Sequence, residues 1–235
     1  MKQPFGYILL LFVLPVLFSG CATEKGSSFF QNPFAMGKRS DRVPGVPVPS
    51  ERIRDINQLA AAAGRVSPER ELEYSQSLVQ IVKNDQDSNC RAKAVKALGK
   101  FNNPSAAEGI QFAMTDSVKY VRINACNAWL DRKNPKEGTQ ALNELVLHEE
   151  DPDVLLAAIH ALETCGESSS QQALGQMLET SNPALQIAAM NTLGKLNSNP
   201  CRDLQQWRQY CRGEIQIQQM SKPEFSVADK FNIWK

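Results

Sequence analysis

Histidine is almost missing from this chain, with two residues in 235. Its six cysteines form no CxxC pair and no Cys/His spacing of the kind that holds zinc. No glycine-rich phosphate loop, nucleophile elbow or paired-carboxylate motif occurs. Catalysis needs converging polar groups, so these absences argue for a non-enzymatic protein without metal, cofactor or small-molecule substrate. An excess of one charge is lacking as well. Residues 1–20 hold one of the 26 basic residues, Lys2, so beyond them 25 basic face 25 acidic side chains. Nucleic-acid binding needs a concentrated basic face. The small cluster Lys38-Arg39-Ser40-Asp41-Arg42 reads as solvated linker. Nor does the apolar stretch Tyr7–Phe18 have the length to cross a bilayer comfortably.

What the chain does have is a repeat. Aligned on Cys90, Val121, Val154 and Leu185, four segments step by 31, 33 and 31 residues. Four positions on, each has alanine (Ala94, Ala125, Ala158, Ala189); eight positions on, each has a large apolar residue (Leu98, Trp129, Leu162, Leu193). A fixed period of this size means stacked supersecondary units rather than a globule around one pocket. Apolar residues at i, i+4, i+5 and i+8 predict a first helix in each unit. Asp151-Pro152 and Asn182-Pro183 supply N-caps with proline in the first turn. Breakers follow at Asn103-Pro104, Asn134-Pro135, Gly166–Ser170 and Asn199-Pro200, and a second helix after each. Ser50–Leu59 and a helix opening at Ser67-Pro68 add a degenerate first pair, with Ser50 as the expected cap of its first helix. Asp203–Tyr210 supplies the last second helix. The expected fold is all-α, a solenoid of four to five antiparallel helix pairs.

Asp87…Arg91…Ala94…Ala97-Leu98-Gly99 and Asp116…Val121-Arg122…Ala125…Ala128 resemble the HEAT-like repeats of the phycobilin-lyase type. The resemblance covers about Asp87–Leu196 and implies a HEAT-like superhelix with an acid–arginine ladder between repeats. The third and fourth copies have Leu155 and Gln186 in the arginine place, so the ladder is expected to stop after the second copy. Such repeats serve many roles, so the resemblance speaks for fold more than function.

At the N-terminus, Lys2, the apolar stretch and Ser19-Gly20-Cys21 have the form of a signal peptide. Small residues followed at once by cysteine resemble the bacterial lipobox, with Phe18 standing where leucine is usual. That resemblance implies cleavage before Cys21 and its acylation, with palmitate among the chains, giving a lipid-anchored membrane protein. Ala22 after the cysteine points to the outer membrane, with the inner membrane as the alternative. The domain reading is a signal peptide at 1–20, a flexible tether at 21–49 with polyproline character around Val43–Pro49, a helical repeat domain at 50–215 and a tail at 216–235. In the tail, Val227, Phe231 and Trp234 make one apolar helical face, which either caps the last repeat or anchors another protein.

Cys90 and Cys126 read as plain buried residues. One continuous helix through Cys201 and Cys211 would hold them too far apart to bridge, and a break after Cys201 would reopen that pairing. His148-Glu149 is similar to the dyads with which HEAT-like hydroxylases hold two irons, but those use several dyads and this chain has one. His148 reads as a helix-end residue and His160 as exposed. What remains is surface. Polar positions on the second helices, with Gln111, Gln140, Glu144, Gln172 and Gln176 foremost, form a glutamine-rich strip suited to a peptide or protein. Together with Phe231 and Trp234 these are the candidate protein-binding residues. The expected function is a lipid-anchored scaffold or adaptor in the bacterial cell envelope. The alternatives are a chromophore-lyase-like or chaperone-like enzyme and a cell-wall-binding structural lipoprotein.

Overall fold

The computed structural model describes residues 48–198, 201 and 203–216. The signal peptide with Cys21, nearly all of the tether, Asn199-Pro200 and the tail with Phe231 and Trp234 lie outside the described residues. Among the described residues are ten α-helices and no strand. The fold is an α-solenoid. Helix pairs are α1 (Pro49–Ala62) with α2 (Pro68–Asn84), α3 (Ser88–Leu98) with α4 (Pro104–Ala113), α5 (Lys119–Leu130) with α6 (Thr139–His148), α7 (Pro152–Cys165) with α8 (Gln171–Leu178), and α9 (Pro183–Asn197) with α10 (Leu204–Cys211).

Helix starts follow local chemistry. Ser67, Asp87, Asn103, Asp151, Asn182 and Asp203 each accept a backbone N–H of the first turn. Each satisfies a donor the helix leaves unpaired. The start of α1 corrects the expected serine cap. Pro49 takes the first helical position, Val48 precedes it, and Glu51 reaches back to accept the Val48 N–H at 3.3 Å. Proline in the first turn costs nothing there, and this shifts the helix one residue ahead of Ser50.

The odd-numbered helices form one row, α1–α3–α5–α7–α9, each packed on the next. Ala94, Ala125, Ala158 and Ala189 are all fully buried, as are Leu98, Trp129, Leu162 and Leu193 within 2%. A methyl group at the crossing lets neighbouring axes approach closely, which fixes the stacking register. The even-numbered helices form a second row that covers the other side of this core.

An arginine–carboxylate ladder pins the turns. Arg52 reaches Asp85 at 2.8 Å, Arg91 reaches Asp116 at 2.7 Å, and Arg122 reaches Glu149 at 2.7 Å. In each rung the guanidinium on a first helix binds, through two nitrogens, the carboxylate in the turn leading to the next repeat. Arg91 and Arg122 also donate backward, to Asp85 and Asp116 carbonyls six residues upstream. The ladder ends after Arg122–Glu149. Gln186 keeps only the backward half, donating to Thr180 O at 2.6 Å. Two details differ from expectation. The degenerate first pair contributes a rung of its own, and the register acid of the first copy is Asp85, which accepts the Asp87 N–H. Asp87 instead caps α3.

Burial alone would raise the Asp116 and Glu149 carboxyls. The hydrogen bonds from Arg91 and Arg122, with backbone N–H groups, outweigh it and hold both below the ordinary carboxylate range. A depressed folded-state pKa gives stability that is complete above the unfolded value and lost as pH falls through the folded one. Thermal unfolding between pH 7 and pH 3 should therefore show stability draining below about pH 5. Arg122→Leu should cost about 2 kcal/mol at pH 7, because it leaves a buried carboxylate without its partner. It should also flatten the acid limb of the profile.

Candidate functional site

The second row does not close evenly. Along it, α2 meets α4 tightly, because Gly109 lies where any Cβ would come within 2.7 Å of Leu98 and Val79. Between α4 and α6 the neighbour contact is the weakest in the row. The cause lies in the second copy, where Trp129 replaces the leucine found at this position in the others. Its ring abuts Gly138, where a Cβ would fall 2.6 Å from the indole, and its Nε1 points at the Met114 sulfur at 3.3 Å.

A buried arginine secures that arrangement. Arg132 stacks over Trp129, its carbon Cζ 5.6 Å from the ring centre. It donates to the Phe101 carbonyl and to Glu137, both at 2.6 Å. Glu137 belongs to a 3-10 turn at Pro135–Gly138, which separates the Asn134-Pro135 breaker from α6. Thr139 ties the start of α6 to the end of α7 through the Cys165 carbonyl. With α6 held from that side, a groove of about 640 Å³ opens toward α4.

Met114, Ala141 and Leu145 line its apolar part, while Gln111, Gln140, Glu144, His148 and Glu150 surround it. Asp116, Arg122 and Glu149, all from the ladder, also face it. Two of its four carboxylates, Asp116 and Glu149, are neutralised by Arg91 and Arg122. Glu144 and Glu150 remain, with His148 Nε2 3.5 Å from Glu144 and three-quarters exposed. The groove is therefore apolar within and acidic at its rim, with its one arginine already engaged. Such a lining suits apolar side chains flanked by a cation.

Of the residues singled out in sequence, Gln111, Gln140 and Glu144 come together in this groove. Gln172 and Gln176 lie in a separate one of about 450 Å³ between α8 and α10, more polar and crossed by Arg212–Glu179 at 2.7 Å. Sequence reasoning passed over Met114, Leu145 and Glu150. The signal available was the tryptophan at the repeat's leucine position.

None of the five described cysteines is in a disulfide; Cys90, Cys126, Cys165 and Cys201 are buried and Cys211 is half-buried. Cys201 precedes α10 and Cys211 ends it, so the break is present and the two are unbridged. Burial pushes the Cys126 thiol up to about 12 and those of Cys165 and Cys211 to about 11. That removes their thiolate character near neutral pH. Among the described residues no cluster of His, Cys, Asp and Glu could hold a metal, and no helix is long and apolar enough to cross a membrane.

A family model for HEAT repeats matches residues 75–163 and 139–208, which together span more than half of the chain. Among solved structures, the chain is similar to one from the complex of CpcE and CpcF of phycocyanin lyase from Nostoc sp. PCC7120. The two are 19% identical over 74% of this chain and 78% of that one, with a TM-score of 0.47. It is also similar to an engineered protein, 16% identical over 75% of this chain and 92% of that one, at a TM-score of 0.41. No curated protein matches.

Gly138→Ala tests the wedge. The added methyl must displace the Trp129 ring, so denaturant unfolding should show a loss of about 2 kcal/mol. Gly64→Ala, at a left-handed turn outside the wedge with open space around it, should cost about 1 kcal/mol through backbone strain alone.

Proposed function

The chain belongs to the HEAT repeat family, and from that premise we propose that it is a lipid-anchored, non-enzymatic scaffold of the bacterial envelope whose groove between α4 and α6 holds a protein partner. The observation that carries this reading is the composition of the groove. An apolar interior built on Met114, Ala141 and Leu145 gives affinity by burying a partner's side chains. Glu144 and Glu150 select for a cation beside them, and Gln111 and Gln140 offer hydrogen bonds to a peptide backbone. The occupant that fits is a peptide segment with two or three apolar side chains and a flanking lysine or arginine. Arg122 is held by Glu149, which leaves no free positive charge to favour a phosphate or an acidic ligand.

Anchoring rests on the sequence around Cys21 alone. Acyl chains on that cysteine, each buried methylene adding roughly 0.8 kcal/mol, would fix the N-terminus in a membrane. The proline-containing stretch that follows would space the repeats from the surface.

Two measurements test these parts separately. Crosslinking of the lipidated protein followed by mass spectrometry should recover a reproducible protein neighbour. Glu144→Arg with Gln140→Arg, both at exposed positions, should lower its yield at least tenfold while helix content stays constant. Equal yield from the variant would remove the groove from the proposal, and copurifying pigment in place of a protein neighbour would favour a lyase instead. For the anchor, labelled palmitate should enter the wild type and not Cys21→Ser. Label retained by the variant would exclude lipidation at that residue.

A further inference from the structure

The first-helix row ends on an uncovered apolar face. At five residues past each anchor, Val95, Cys126 and Ile159 are 0–1% exposed, because the next first helix lies over them. The fourth equivalent, Met190, is half-buried. Two residues past the anchor, Ala92 is buried and Ile123 and Leu156 are half-buried, whereas Ile187 is 57% exposed, the largest value among the exposed large apolar residues described. Gly194 continues the same side of α9, half-buried and with no side chain to fill the space. Ile187, Met190 and Gly194 thus reproduce the surface that every earlier repeat presents to a following helix. Among the described residues no helix follows α10.

We propose that residues 226–235 of this same chain dock on α9 and supply that missing cover. Val227, Phe231 and Trp234 recur at the spacing of one helical face and extend over seven residues, as Ile187 to Gly194 do. Two aromatic rings and a valine have the bulk to fill a surface whose own side chains are a methionine, an isoleucine and a glycine, and a methionine sulfur packs favourably against ring edges. Chain order agrees, since in each earlier repeat the segment after a second helix returns to the first row. Reach is sufficient. Residues 217–226 extend to about 33 Å, against about 22 Å for the whole of α9. Docking removes an exposed apolar end that would otherwise invite association with other chains.

A benzophenone photocrosslinker placed at Ile187 of the full chain decides the matter, because that exposed position tolerates it without loss of fold. Mass spectrometry should find an intramolecular link to a peptide within 226–235. Phe231→Ala with Trp234→Ala should cut its yield at least fivefold, and the same crosslinker at Leu72, exposed on α2, should give none. Links to a second copy or to another protein, or no intramolecular link at all, would overturn the proposal.

Discussion

Everything in this molecule follows from how closely the first helices approach one another. Four alanines, one per repeat and all without solvent exposure, stand where neighbouring helices cross. A larger side chain at any of them would wedge the row open and propagate to the next repeat, because in a stack each unit is positioned only by its neighbours. The row is therefore held to one spacing. The second helices are joined to it through short turns and are free to vary. Functional surface arises where that freedom is used, and the widest variation is at α6.

The ladder adds direction to the packing. Arg91 and Arg122 each grip the turn behind and the turn ahead, so the repeats carrying them are fastened at both ends. Beyond Glu149 the grip is single-sided among the described residues: Gln186 reaches back to Thr180 without a forward carboxylate partner there. Elsewhere between α7 and α9, Lys195 pairs with Glu163 on the surface and Thr192 donates to the Ile159 carbonyl. An exposed pair such as Lys195–Glu163 contributes little, so the last repeats depend on their core and on Arg208, which ties α10 to the end of α8 through the Leu178 carbonyl.

The repeat period and the end of the ladder were legible because they recur at a fixed spacing, and most of the helix caps because each lies beside the turn it caps. Asp151 and Asn182 reveal themselves by the prolines that follow. What was not legible depends on three-dimensional spacing. Asp85 and Asp87 are both plausible register acids in a string of letters; only the distance to Arg52 separates them. The glutamines of the second helices look like one strip when read in order, yet they divide between two grooves because α6 stands off from α4. That displacement traces to Trp129 and Gly138, nine residues apart, whose meeting no periodic pattern encodes.

Two surfaces among the described residues of this solenoid, the gap between α4 and α6 and the outer face of α9, differ in character. Between α4 and α6 the gap is lined by mixed chemistry, with the exposed carboxylates of Glu144 and Glu150 beside an apolar interior, so it can discriminate among occupants by charge as well as shape. At α9 the face formed by Ile187, Met190 and Gly194 is apolar, so it can be satisfied by many apolar helical faces and discriminates poorly. Selectivity is useful in a binding site and hazardous to lack at an open end. A protein that keeps both open would bind its partner through one and unrelated chains through the other. A segment tethered to the same molecule would resolve that conflict, because a short linker sets an effective concentration in the millimolar range, where a modest affinity is enough to exclude outside competitors.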